Sequence, residues 1–232
     1  MKLRFAFKML LFGVIVSAVT TSCGKATNSA RALKWGSRFD PTGDCTINES
    51  SGMLVITVPG GIHDLSGVRG DRNRTAPRVF QEVEGDFTFT VKVTGEFDPP
   101  AQPGSNAFNG AGILVFDSDQ NFLRLERNVW TTPDGRKVNY APLFEYWYNN
   151  QMKSQEQGSP LPFFKGKSTF LRLKRDGNQF AASVSDDGVE WEETNSTSAE
   201  FPTRVKVGVS AVNTAATQLT VEFSDLALVK AK

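Results

Sequence analysis

From Trp35 onward the chain runs in short apolar stretches separated by turn residues. Phe87, Phe89, Val91 and Val93 alternate with Thr88, Thr90 and Lys92, which is the period of a strand buried on one face. Met53–Val58 is a compact apolar, β-branched run closed by Pro59, Gly60 and Gly61. Ile113–Phe116 is apolar at every position, so it predicts a central strand covered on both faces. Further strands are predicted over Phe122–Trp130, Leu143–Tyr148, Thr169–Lys174, Phe180–Val184, Val205–Val212 and Leu219–Leu228. No stretch shows the stripe and caps of an amphipathic helix. The pattern gives roughly ten to thirteen strands, enough for two packed antiparallel sheets.

The connections carry the residues that turns require. Asp176-Gly177-Asn178 and Asp186-Asp187-Gly188 each separate two strands as tight hairpins, and Asp117–Asn121 joins Phe116 to Phe122. Two longer loops are predicted, Asp98–Asn109 and Asn149–Phe164. Long loops on a sandwich rim are where function is usually added.

The N-terminus reads differently. Lys2, Arg4 and Lys8 form a basic head, and Met9–Val19 is an apolar run too short to span a bilayer comfortably. Thr20-Thr21-Ser22-Cys23-Gly24 follows and resembles a bacterial lipobox, with Thr20 where Leu or Val is usual. The expected organisation is a lipoprotein signal peptide over 1–22, a tether over 23–34 and one folded domain over 35–230. Lipid on Cys23 would be the only membrane attachment, placing the protein in the cell envelope on the periplasmic or surface side; without the lipid it would be secreted. Removing the basic head takes the formal charge from +1 to about −2, so bulk charge offers nucleic acid no surface. Cys45 is the second of two cysteines. With Cys23 lipidated it has no disulfide partner, and it reads as a small buried hydrophobe beside an Asp44 that opposes thiolate formation.

The order of motifs along the domain is Trp35-Gly36, Asp40-Pro41, Gly43-Asp44-Cys45, His63-Asp64-Leu65 and Ala76-Pro77-Arg78-Val79, followed by Gly85-Asp86-Phe87, Gly110–Val115 and Phe122–Arg127. Phe170–Leu173, Ser185–Trp191 and Val207-Gly208-Val209 complete it. This order resembles the YesU-like family, a domain of unknown function with a concanavalin A-like jelly roll. It is also similar to the C-terminal sandwich of many bacterial β-xylosidases. The resemblance covers about residues 35 to 229 and implies an all-β sandwich of two antiparallel sheets and a carbohydrate-processing setting, without an assigned activity.

Candidate chemistry centres on two strands. Alternation puts Arg124, Glu126, Asn128 and Trp130 on one face, and Glu145, Trp147 and Asn149 on one face of the following strand. Pairing of the two would bring Arg124, Glu126, Glu145 and Trp147 onto one concave surface. Two carboxylates about 5 to 9 Å apart are what glycoside hydrolysis needs, and an adjacent ring could stack on a sugar. The same residues could instead pair across strands as a polar cluster. The Glu-x-Asp-x-x-Glu or Glu-x-Asp-x-Glu spacing usual in concanavalin-like glucanases is absent. Arg172 is placed within reach of the same face, and Trp130, Tyr146 and Tyr148 are candidate stacking rings.

His63 is the only histidine, so no multi-histidine metal site exists, and His63-Asp64 reads as a loop anchor. Asp117, Asp119 and Asn121 open like a calcium loop, but Phe122 and Asn128 stand where Gly and Glu are needed, which leaves a hairpin. No cofactor or metal site is assigned; a rim calcium of the lectin kind is allowed for without a place. Ser185-Asp186-Asp187-Gly188…Trp191 resembles the Asp-box hairpin of sialidases, a structural signature. The first functional expectation is a lipid-anchored, glycan-binding sandwich using Arg124, Glu126, Glu145, Trp147 and Arg172 on its concave face. A glycoside hydrolase-like enzyme using Glu126 and Glu145, and an envelope protein binding a protein partner, are the alternatives.

Overall fold

The computed structural model describes residues 35–65, 74–139, 142–157 and 166–231. The predicted signal peptide, Cys23 and the tether lie outside the described residues, as does the part of the 149–164 loop beyond Gln157. Among the described residues no helix is long and apolar enough to cross a membrane.

The strands are β1 (Ser37–Phe39), β2 (Thr46–Ser50), β3 (Met53–Val58), β4 (Arg78–Glu84), β5 (Phe87–Gly95), β6 (Ala107–Ser118), β7 (Asn121–Thr131) and β8 (Lys137–Val138), then β9 (Leu143–Tyr148), β10 (Gln151–Gln157), β11 (Ser168–Asp176), β12 (Gln179–Ser185), β13 (Glu192–Ser198), β14 (Arg204–Asn213) and β15 (Leu219–Lys230). The first sheet has the order β1-β4-β14-β6-β7-β9-β10, with β8 on β7; the second has the order β13-β12-β11-β5-β15-β3-β2. All named pairs are antiparallel, as the alternation predicts.

Most of the apolar alternation resolves into the layer between the sheets. Val79, Val83, Ile113, Val115, Leu123, Leu125, Phe144, Val207 and Val209 of the first sheet meet Leu54, Ile56, Phe87, Phe89, Leu171, Phe180 and Phe223 of the second. At the rim of this layer the buried Arg127 of β7 donates from Nη1 to Thr169 Oγ1 of β11 at 2.6 Å and from Nη2 to the Gly166 carbonyl at 2.5 Å. One guanidinium thereby ties the two sheets together.

The first sheet buries its outer face as well. Leu65, Ala76, Phe80, Leu114, Phe122, Trp147 and Val212 form a second apolar cluster, with Phe108 and Phe116 packed on it. Leu65 and Ala76 come from the connection between β3 and β4, so the described ends of that connection lie on the sheet. Glycines let neighbouring strands of this sheet approach closely. A Cβ on Gly112 would fall 2.0 Å from the Leu125 carbonyl oxygen, and one on Gly208 1.8 Å from that of Val79.

Polar edges account for the strands that alternation misses. β2 (TINES) and β13 (EETNSTS) are largely exposed edges with no apolar period. Residues 151–157, expected to be loop, instead pair with β9 as β10.

Gly112→Ala should destabilise the domain by about 1–3 kcal/mol, the usual range for forcing extra atoms into a packed site. Urea unfolding followed by tryptophan fluorescence reads this. An unchanged midpoint would show that β6 and β7 part readily enough to admit a methyl group.

Candidate functional site

β7 and β9 do pair, with Arg124 opposite Glu145 and Phe122 opposite Trp147. Arg124, Glu126, Glu145 and Trp147 therefore share the outer face of the first sheet. Arg124 Nε and Nη2 lie 2.9 and 2.8 Å from Glu145 Oε2, which also accepts from Trp147 Nε1 at 3.0 Å. Arg124 Nη1 stands 3.3 Å from Glu126 Oε2 and 3.9 Å from Asp64 Oδ1. One guanidinium thus sits among three carboxylates.

The cluster is closed to solvent. Glu126 is 0% exposed, Glu145 and Trp147 3%, and Arg124 4%. The Trp147 ring stacks on Phe122 at 5.8 Å, and the Arg74 guanidinium lies 5.5 Å from it. Arg74 donates from Nε to the Asp119 carbonyl at 2.7 Å, and Arg78 pairs with the Asp119 carboxylate at 3.1 Å. The connection is stitched to itself where the Ala76 N–H donates to the Asp64 carbonyl at 3.2 Å. The expected open groove is thus occupied by the protein's own chain.

Burial sets the charge states. It lowers the proton affinity of Arg124, but Glu126, Glu145 and Asp64 outweigh it and hold the guanidinium charged. Burial also pushes the Glu126 carboxyl up to about 7, against the opposing pull of Arg124 and with help from Glu145 and Asp64. Neither Glu126 oxygen has a well-aligned hydrogen-bond donor, so the neutral acid is the cheaper buried form.

The other candidates scatter. Arg172 lies on β11, in the opposite sheet, and cannot join the Glu126 face. Alternation fixed its face of the strand but not which sheet the strand enters. Its guanidinium carbon lies 3.5 Å from the centre of the Trp191 ring. Tyr146 is in the core between the sheets, and its hydroxyl accepts from the Glu200 N–H at 2.9 Å, so it is no stacking platform. Tyr148 packs partly buried against the same core. Trp130 is on the Arg124 face, half-buried at the strand end opposite Phe108. Asn121 donates to Asp117 at 3.2 Å, so the calcium-like turn holds itself together as a hairpin.

The β12–β13 hairpin is built as its motif predicts. Ser185 Oγ accepts from the Gly188 N–H at 2.8 Å, and Asp187 Oδ1 accepts from the N–H groups of Val189 and Glu190 at 2.8 and 2.9 Å. Those backbone donors hold the Asp187 carboxyl below its ordinary range. Gly188 takes φ 78°, the left-handed conformation the turn needs. Trp191 Nε1 donates to the Gly188 carbonyl at 3.1 Å, which fixes the indole. Beside it opens a cavity of about 390 Å³ lined by Val184, Ser185, Asp186, Glu190, Trp191 and Glu192, with Asp187 at its wall. Sequence reasoning assigned this hairpin to structure alone, because its cavity depends on how β12 and β13 splay.

His63 anchors its segment as expected. Its backbone pairs with Asn213 in both directions, at 2.7 and 3.0 Å, and its Nε2 lies 3.1 Å from Asp44 Oδ1. Cys45 is half-buried against the core, and its thiol is pushed up to about 12 by burial and then by Asp40 and Asp44. Asn213, which the sequence did not single out, is a buried hub. Its amide donates to the Pro59 and Thr217 carbonyls, both at 2.8 Å.

No family model matches the chain, and no curated protein matches it in sequence. The fold does match solved structures. A functionally unknown protein from Saccharomyces cerevisiae aligns with a TM-score of 0.61 at 16% identity, over 85% of this chain and 97% of that one. Lectin I-B4 from Griffonia simplicifolia aligns at 0.51 and 15%, over 85% of this chain and 100% of that one. A GH43 protein from Bacillus licheniformis aligns at 0.53 and 15%, over 83% of this chain but 36% of that one. The chain has a concanavalin A-like jelly-roll sandwich. These identities establish fold alone, and the YesU-like resemblance rests on the sequence motifs.

The raised Glu126 carboxyl makes stability depend on pH. The folded state keeps this proton up to about pH 7, whereas an unfolded glutamate releases it near 4.3. Between these values the folded state binds more protons, so stability falls as pH rises from about 4.5 to 7 and is flat above. The expected loss is about 4 kcal/mol. Glu126→Gln should remove this slope in urea titrations at stepped pH. A mutant retaining the wild-type slope would assign it to another group.

Proposed function

We propose that this sandwich is a non-catalytic glycan-binding domain and that its ligand meets it at the β12–β13 hairpin. The observation that carries this reading is the cavity beside Trp191. It combines a fixed indole with the carboxylates of Asp186, Glu190 and Glu192. Sugars present an apolar C–H face that packs on an aromatic ring, and adjacent hydroxyls that donate to carboxylates. A concave site of a few hundred Å³ with a few convergent polar groups is what such a ligand requires. Val189 at the hairpin tip is 74% exposed. Arg172 supports the indole from the outer face of the second sheet. The sandwiches of the Griffonia lectin and the Bacillus GH43 protein make carbohydrate a natural ligand class for this fold.

A catalytic role for Glu126 and Glu145 is less well supported. Glycoside hydrolysis needs two carboxylates flanking a cleft that admits the substrate, and both of these are sealed under the β3–β4 connection. Their arrangement suits holding that connection in place.

The test is a glycan-array screen of the folded chain. Wild type should bind, Trp191→Ala should lose about tenfold or more in affinity, and Glu126→Gln should bind like wild type. Loss in Glu126→Gln with Trp191→Ala unaffected would move the site to the first sheet. A folded wild type that binds no glycan would favour a protein partner.

The basic head, short apolar run and Cys23-Gly24 support export and lipid attachment at Cys23. Labelled palmitate should enter the wild-type chain in a bacterial host and not Cys23→Ala, which should leave the membrane fraction. Equal labelling of both would refute the anchor.

A further inference from the structure

We infer that Asp44, Cys45 and His63 form a binding site for a zinc-class divalent cation. Among the described residues this is a cluster of three different donor types. A carboxylate oxygen, a thiol sulfur and an imidazole nitrogen all lie within 4.8 Å of one another. They come from two separate segments: Asp44 and Cys45 from the turn between β1 and β2, and His63 from the connection after β3.

The spacing suits a small ion. A tetrahedral cation with bonds of about 2.0 to 2.3 Å holds neighbouring donors roughly 3.3 to 3.8 Å apart. His63 Nε2 lies 3.1 Å from Asp44 Oδ1, and Cys45 Sγ lies 3.7 Å from the same oxygen. Small side-chain rotations complete the set. Both segments are already fixed. The Cys45 N–H donates to Asp40 Oδ2 at 2.9 Å, shaping the turn, and His63 is laddered on both sides to the buried Asn213.

The imidazole is committed to this place. His63 is 4% exposed, its Nε2 faces Asp44, and its Nδ1 makes no hydrogen bond. A loop anchor alone would be served by any buried donor; a ring nitrogen against a carboxylate, with a thiol within 4.8 Å of both, is a ligand set. The donor chemistry selects the ion. The cation must displace the Cys45 thiol proton to solvent, and the resulting thiolate with imidazole excludes magnesium and calcium, which take oxygen ligands, and favours zinc or cobalt. Asp44 is exposed, so a fourth position is open to water. The lack of a partner on Nδ1 removes the support metal-bound histidines usually have, so this site should bind more weakly than a closed four-ligand site.

Cobalt(II) is the probe, added to the full chain in a Cys23→Ala background so that Cys45 is the single thiol. One equivalent should produce a thiolate-to-cobalt charge-transfer band, and zinc should displace it. Cys45→Ser should abolish the band, and His63→Gln should weaken binding about tenfold or more. Should either variant misfold, zinc protection of the Cys45 thiol from maleimide in the unmutated site is the second measurement. Saturable binding with these losses, or protection by one equivalent of zinc, establishes the site. Absence of band and protection in the folded protein, or equal binding by the variants, overturns it.

Discussion

A guanidinium that is 4% exposed cannot be left without counter-charge. Breaking a buried ion pair costs several kcal/mol, because the remaining charge has no water to turn to. Arg124 stands on the outer face of its sheet, where a sandwich usually meets solvent. Its burial therefore obliges the rest of that face. Glu145 arrives by strand register, Glu126 by alternation along β7, and Asp64 by the segment that follows β3. Leu65 and Ala76 supply the apolar contacts that hold the described ends of this connection against the sheet. The second apolar layer and the charge cluster are mutually dependent.

The same constraint shapes where a ligand could bind. In an open sandwich the outer face offers polar groups to solvent; here it is spent on intramolecular contacts. Three carboxylates around one arginine carry an excess negative charge, which the raised Glu126 relieves by keeping a proton. That is an internal accommodation, and it needs no substrate to make sense. At the β12–β13 hairpin the carboxylates are spaced around an indole and remain accessible. The contrast between a satisfied cluster and an accessible one is the reason to place recognition at the rim.

Much of the fold was legible because burial on one face leaves a period of two. β3 and β9 have the predicted bounds, Met53–Val58 and Leu143–Tyr148, and alternation placed Arg124, Glu126, Glu145 and Trp147 on matching faces of two strands, whose pairing it left as a condition that the structure meets. β2, β10 and β13 were not legible, since polar edge strands have no apolar period. Arg172 shows a second limit. Periodicity gives the face of a strand, not its sheet, and β11 proved to belong to the other one. The covering of Arg124 was hidden for a third reason. Residues 59–77 are rich in Gly and polar residues and read as loop, and nothing local reveals that Leu65 and Ala76 pack on Trp147.

His63 and Asp64 concentrate the consequences of that covering in two adjacent residues. The His63 side chain turns toward Asp44 and Cys45, while the Asp64 carboxylate turns toward Arg124. Between them the backbone is pinned by His63 to Asn213 on one side and by Asp64 to Ala76 on the other. One peptide unit therefore joins two polar networks that have no side chain in common. A cation drawn to His63 would leave Asp64 where it is, because the ladder to Asn213 already fixes the backbone. The two networks can thus be loaded independently, one with a metal ion and the other with a proton, and the segment that follows β3 stays on the sheet in either state.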